Sequence, residues 1–434
     1  MRLITSRYYR QPLKAFTFVL LGCFAHGTAF AEESASVSAF DDIPEFGGPS
    51  TVGADLKEDA KPKQPAFRFE SIDGFLKPYF DSKAKTAKES NFAYGFDYTA
   101  MYQNASDSLG EDDAGGGIFR AFGSWTLTGL DTGNTGTLVY KVEHRNRLGT
   151  DISPSSLGFQ TGYVGLTAPI YSNYQWGLTN LYWQQKFKEA QINFVAGVVD
   201  VTDYMDIYGL VNPWTSFSNL AFLTNGSIPS PNQGLGAAFG WMASDNIYMV
   251  GGIADANGDP SKPEDMVDSF FDDSELFKHF EIGYVSSFDR RYFDNIHLTV
   301  WQVDEKTNPG NTARDGWGWA FSYAWFIDDT WMPFVRAGYA DEGGALYDKN
   351  VSVGFGHYMA KSSDLLGVGL NWSEPSETTF GPGLRDQYTI EAYYRYQLAK
   401  NLALTPDIQY IIDPANNTAV DDIWILGLRM RLSL

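Results

Sequence analysis

Asp255, Asn257 and Asp259 stand at the one-three-five spacing of a calcium-binding loop. The pattern stops there, because Pro260 occupies the position that requires Gly and Met266 the position that requires a bidentate Glu. The stretch therefore reads as a tight loop and not as a metal site. Nucleophilic catalysis has no better footing. The chain has five histidines, at positions 26, 144, 279, 297 and 357, and no Gly-x-Ser-x-Gly string that would raise a serine on a strand-to-helix turn. Its one cysteine, Cys23, falls in an amino-terminal segment that reads as removed on export, which excludes thiol chemistry, disulfides and cysteine-based metal sites from the mature chain. No cofactor is implied.

What remains is a population of charged, amide and aromatic side chains at alternate positions. Lys141, Glu143 and Arg145 recur at every second residue, with Arg147 next in line. Thr389, Glu391, Tyr393, Arg395 and Gln397 repeat the pattern, and Tyr388, Ile390, Ala392, Tyr394, Tyr396 and Leu398 fill the other face. Glu281, the pair His297 and Trp301, and the pair Asp407 and Gln409 fall on the polar faces of further runs. Period two is the repeat of a strand. The closing stretch IWILGLRMRLSL (423–434) makes the point most sharply: Trp424, Leu426, Leu428, Met430, Leu432 and Leu434 share one face, while Arg429 and Arg431 lie on the other. Such a strand suits a wall with lipid outside and water inside. A large soluble β-sandwich also alternates, because its outer faces are wet.

The runs must be positioned by something, and their spacing says what. Seventeen alternating runs of about ten residues follow one another from residue 92 to the end. Counting back from the last run, the connections 398–401, 360–364, 327–330, 289–294, 244–246, 186–189 and 130–135 are short, and those between them, such as 202–233 and 256–277, are long and rich in Asp, Asn, Gly and Pro. Transmembrane barrels have short periplasmic turns, long external loops and an even strand number. The rule holds if the run at 157–167 belongs to one long external loop, 147–175, and not to the wall. The expected fold is all-β: a sixteen-stranded antiparallel transmembrane β-barrel over residues 92–434, with both ends periplasmic.

Ahead of it, Arg2, Arg7, Arg10 and Lys14 precede the apolar run 15–25 and an Ala29-Phe30-Ala31 site, so residues 1–31 read as a secretory signal peptide. LLGC (20–23) offers a second reading, a lipoprotein box with Cys23 as the acylated residue. Residues 32–91 read as a periplasmic leader, flexible to about Pro65, with a short helix in 70–89 broken near Pro78. Without residues 1–31 the formal net charge moves from -21 to -25, which makes nucleic acid a poor partner. Beyond the signal no apolar run is long enough for a membrane helix, while 16% aromatic residues and 43 evenly spread glycines suit many short strands.

Specific strings accumulate along this frame: YKVEHRNRLG (140–149), NLYWQQ (180–185), VVDVTDYMDIYGLVNPWTSFSNLAF (198–222), GGIADANGDP (251–260), HLTVWQVDE (297–305), PFVRAGYA (333–340) and NLALTPDIQYIIDPANN (401–417). Together they resemble the OprB-type carbohydrate-selective porins of Gram-negative outer membranes, over about residues 92–434. Two departures are visible. The tryptophan- and glycine-rich amino-terminal signature common in the family is missing, and the last residue is Leu434 where such barrels usually end in Phe.

The resemblance implies an outer-membrane homotrimer that passes sugars by facilitated diffusion, with lipid and lipopolysaccharide around it and inward-folded loops at the constriction. Sugars call for amide, carboxylate and guanidinium groups that bond hydroxyls, and for aromatic faces that cover ring C–H groups. On that basis Asp203, Asp206, Asn212, Trp214 and Asn219 in the loop 202–233, and Trp183 and Gln185 at its flank, are candidate binding residues. Glu143, Arg145, Arg147, Trp301, Glu391 and Arg395 are candidates on the wall and at its mouth. The plain reading stays open beside this one: the loop is a cap of turn formers, and the inner arginines neutralise carboxylates. The acidic clusters at 111–113, 270–275 and 341–342 either stay solvated or bind ions bridging lipopolysaccharide. A general porin, a barrel enzyme and an adhesin are the rival functions.

Overall fold

The computed structural model describes residues 47–188, 190–308 and 311–434; the signal segment and the first part of the leader lie outside them. Sixteen strands form: β1 (Phe92–Ala105), β2 (Asp113–Thr128), β3 (Gly136–Arg147), β4 (Gln175–Phe187), β5 (Ile192–Val199), β6 (Gly234–Met242), β7 (Ile247–Asp255) and β8 (Leu276–Val285) make the first half. The second half is β9 (Asn295–Val303), β10 (Gly316–Ala324), β11 (Trp331–Glu342), β12 (Tyr347–Tyr358), β13 (Leu365–Pro375), β14 (Gln387–Ala399), β15 (Leu402–Ile412) and β16 (Asp422–Ser433). Each strand pairs antiparallel with its sequence neighbours, and β16 returns to β1, with Asp97 opposite Ser433 and Ala105 opposite Ile425. Closure leaves no strand edge, which is what lets a sheet cross hydrocarbon with every ladder group paired.

The alternation falls as the sequence requires. On β16, Trp424, Leu426 and Leu428 are 44%, 58% and 50% exposed, while Arg429 and Arg431 are 1% and 7% exposed. The wall is thus apolar outside and polar inside, the reverse of a water-soluble barrel. The connection rule holds for most links, although the external 106–112 is no longer than the periplasmic 129–135. The external link between β11 and β12, residues 343–346, is tight, and Gly343 and Gly344 take φ of 74° and 77° that side chains rarely adopt. The run at 157–167 is not a strand: α3 (Pro154–Gln160) and the chain after it fold into the lumen, where Leu157, Tyr163 and Val164 are fully buried. Their apolar spacing reflects packing against the inner wall, not a membrane span.

The leader departs from the flexible tract and short broken helix expected of it. Residues 52–60 form α1 (Val52–Ala60), capped by the Thr51 hydroxyl accepting from Ala54 N at 3.3 Å and closed before Pro62. Val52, Asp55 and Leu56 share one face of α1, and that face packs inside the barrel. Arg120 on β2 donates to Asp55 at 2.7 Å, and Arg431 on β16 donates to both oxygens of Asp59 at 3.0 Å. α2 (Glu70–Ser90) is one helix that runs through Pro78. The backbone bond Pro78 forfeits is to Gly74, and both residues are exposed, so water serves the freed carbonyl.

Leu428 sits mid-strand on the lipid face, opposite Tyr102 and Pro406. Leu428→Arg will therefore destabilise the barrel by about 2–4 kcal/mol, read as urea unfolding in phospholipid vesicles. An unchanged unfolding midpoint would place that face in water.

Candidate functional site

The long connection between β5 and β6, residues 200–233, turns into the lumen and is clamped there by inner-wall charges. Glu391 on β14 accepts from the backbone N–H groups of Ser218 and Asn219 at 2.6 and 2.9 Å. Glu281 on β8 accepts from Asp206 N at 2.7 Å, and the Asp206 carboxylate in turn is gripped by Arg336 on β11 and lies 3.2 Å from His297 Nε2 on β9. Arg429 on β16 donates to the carbonyls of Pro213, at 2.7 Å, and Ser216. The sequence makes this possible because the loop offers unpaired backbone groups at its turns, and a buried wall charge needs partners of this kind. Asn219 adds a cap: its side chain accepts from Ala221 N at 3.0 Å to start α4 (Leu220–Leu223) and donates to Gln409 at 2.9 Å.

On the β3 side the wall faces open space. A cavity of about 1140 Å³ lies between β3, the 200–233 loop, the external loop around 257–273, and Asn308 and Asn311. Lys141, Glu143 and Arg145 line it from the wall, Tyr174, Asp200, Asp203, Trp214 and Gln233 from the loops, and Ser50, just before α1, from below. Arg145 Nε donates to Glu143 at 2.7 Å and its guanidinium lies over the Tyr174 ring, 4.9 Å from the centroid. The Trp214 ring lies 3.8 Å from the Arg120 guanidinium. The cavity therefore combines hydrogen-bonding groups of both charges with an aromatic face, the set that hydroxylated rings require. Burial pushes the Asp203 carboxyl up to about 7; Lys141, at 4.0 Å, works against the rise and Asp200 and Asp55 add to it.

The candidate residues divide by what they touch. Glu143, Arg145, Asp203 and Trp214 line the cavity. Asp206, Asn219 and Glu391 are buried fasteners of the loop, and Asn212 joins them by donating to Pro49 O at 2.7 Å and accepting from Trp214 N. Trp301 points inward but is buried against Phe277 on the next strand. Arg147 stays at the external end of β3, bonded to the Asp151 carbonyl, and Arg395 donates to Ser363 O on a periplasmic turn. Trp183 and Gln185 are corrections: they share the row of Leu138 and Trp125 on the outer face, and the Gln185 amide bonds the carbonyls of Asn134 and Thr135 at a turn. Asn180, Tyr182 and Gln184 hold the inward positions of β4. Both faces of that strand carry an amide and an aromatic ring, so alternation alone misassigns it. Tyr174, Asp200 and Gln233 escape sequence reading because only the loop fold brings them to the wall.

A family model described as carbohydrate-selective porin, OprB family, matches residues 125–434. The chain belongs to that family. The high-pH structure of Pseudomonas putida OprB aligns with a TM-score of 0.65 at 13% identity, over 82% of this chain and 97% of that one, a likeness of fold. A putative porin, QuiX, of Acinetobacter baylyi is 41% identical over 56 residues, which spans 13% of this chain and 13% of that relative. Family and fold point to a channel rather than an enzyme, and to the outer membrane of a Gram-negative cell as its place.

Asp203 is neutral below its raised pKa and anionic above it, so the lumen gains negative charge as pH rises through about 7. Reversal potentials in a salt gradient will show cation preference increasing from about pH 5.5 to about 8.5, and Asp203→Asn will flatten that step. A step of equal size in the variant would assign the titration elsewhere.

Proposed function

We propose that the protein is a passive outer-membrane channel for neutral sugars, driven by the solute gradient alone. The observation that carries this reading is the cavity beside β3, lined by Lys141, Glu143, Arg145 and Asp203 together with the ring of Tyr174 and the largely buried ring of Trp214. At about 1140 Å³ it exceeds the roughly 300–1,000 Å³ typical of small-molecule sites, so a hydrated sugar has room to enter without being enclosed. Conduction needs weak binding that also permits release, which opposed charges and one ring face provide. The inward-folded 200–233 loop sets the constriction in this reading, since its fasteners leave the β3 side as the free path.

Carboxylates outnumber cations around the cavity and its rim, with Asp200, Asp259, Asp265, Asp268, Asp272 and Asp273 adding to Glu143 and Asp203. That field favours neutral or cationic solutes over anionic ones. Homotrimeric assembly and contact of the external loops with lipopolysaccharide belong to the same reading, as does the lack of a catalytic role.

In planar bilayers, mono- and disaccharides will block the ion current in a concentration-dependent way, and a neutral hexose will block better than its uronic acid. Absence of block by any sugar would leave a general porin. Trp214→Ala will raise the half-blocking concentration roughly 2- to 10-fold, the equivalent of about 0.5–1.5 kcal/mol, and Trp214→Phe will restore most of the loss.

A further inference from the structure

α2 lies across the periplasmic rim and carries more exposed apolar surface at its amino-terminal end than the barrel accounts for. Phe67, Phe69, Ile72 and Phe75 are 53%, 44%, 54% and 82% exposed. Ile72, Phe75, Tyr79 and Lys83 recur at three- and four-residue steps, so they form one stripe along the helix. The far end of that stripe has a known direction. Lys83 donates to the Leu434 carbonyl at 2.8 Å and its ammonium lies 5.8 Å from the centroid of the Tyr94 ring. Tyr94 belongs to the outward row of β1, the row of the exposed Phe96 and Tyr102. At the helix end, the indole N–H of Trp125, another outward residue, donates to Ser90 O at 3.1 Å. The stripe therefore faces the level at which the lipid-facing wall ends, and its aromatic end continues that wall's apolar surface.

We propose that α2 is an interfacial helix whose amino-terminal end seats Phe69, Ile72 and Phe75 in the periplasmic phospholipid leaflet. Three features fit that occupant. The apolar patch is continuous with a face already turned to lipid, the side of the helix away from the stripe carries Lys77 and Asp81, with Lys85 on its flank, for water, and Lys83 lies within the stripe with a stem long enough to keep its ammonium at the headgroups. Pro78 costs such a helix little, because its freed carbonyl is on the exposed side. The helix then fixes the height of the barrel in the bilayer and ties the segment that enters the lumen, α1, to the membrane surface. The inference needs the barrel to sit in a membrane but not to pass sugar, so block of current by sugars and the behaviour of α2 are separate readouts.

The test uses the full chain in a Cys23→Ser background, with Phe75→Cys or Lys85→Cys labelled with an environment-sensitive fluorophore and reconstituted in phosphatidylcholine vesicles. Barrel folding is checked for each variant by heat-modifiable gel migration, and Ile72→Cys replaces Phe75→Cys where that variant does not fold. Expected is several-fold stronger quenching at 75 than at 85 by lipids spin-labelled near the headgroup, with the reverse order for aqueous iodide. Equal quenching at both positions by iodide would place the stripe in water and overturn the proposal. Protection of position 75 from both quenchers that grows with protein density would overturn it as well, by assigning the stripe to a second protein copy.

Discussion

Inner-wall charges have nowhere to hide in a barrel whose outside is lipid, and the two N–H groups that Ser218 and Asn219 give to Glu391 are the clearest instance of how this chain satisfies them. A carboxylate that is fully buried and unpaired costs several kcal/mol, and so does an orphaned backbone N–H. Folding the 200–233 loop inward cancels both costs at once. Repeated at Glu281 with Asp206 N, at Arg336 with Asp206 and at Arg429 with Pro213 O, the same exchange fixes the loop to β8, β11, β14 and β16. The lumen is consequently filled on that side and open beside β3, so the place of the cavity follows from which wall charges the loop has already taken.

Much of the frame was legible because period-two alternation survives through most of the strands. The connections were legible too, since turn formers separate the runs and the long-short rule holds for most of them, with 343–346 its clearest break. The run at 157–167 illustrates where pattern needs a second criterion: its apolar positions are real and buried, but they pack against the inner wall, and strand parity around the barrel excluded it. β4 defeated the pattern because Gln185 and Trp183 on one face mirror Gln184 and Tyr182 on the other.

The site itself was half legible. Residue type announced that Glu143, Arg145, Asp203 and Trp214 belong to a polar lumen, and they do line the cavity. Residue type does not separate a group that meets solute from one that meets a loop. Glu391 and Asn219 are more than 170 positions apart in sequence, and nothing local to either announces the bond. The leader was the larger surprise. Its Lys/Pro-rich end reads as a tether, yet Val52 and Asp55 of α1 are buried, because the barrel supplies arginines that the leader's acids complete.

Arg120 shows how tightly these parts are joined. Its guanidinium donates to Asp97 on β1 and to Asp55 on α1, and its face carries the Trp214 ring of the inward loop. Asp97 also accepts from Arg431 at 2.9 Å, which holds α1 a second time through Asp59. One fully buried cation thus sets the floor below the cavity, the strand beside it and the aromatic surface within it. Arginine suits this position because a planar fork can serve two carboxylates in its plane while an indole covers its face, which an ammonium cannot do. It follows that the position of the Trp214 ring beside the cavity depends on the same charge balance that keeps α1 in the lumen. Floor and ring surface are two readouts of a single buried network.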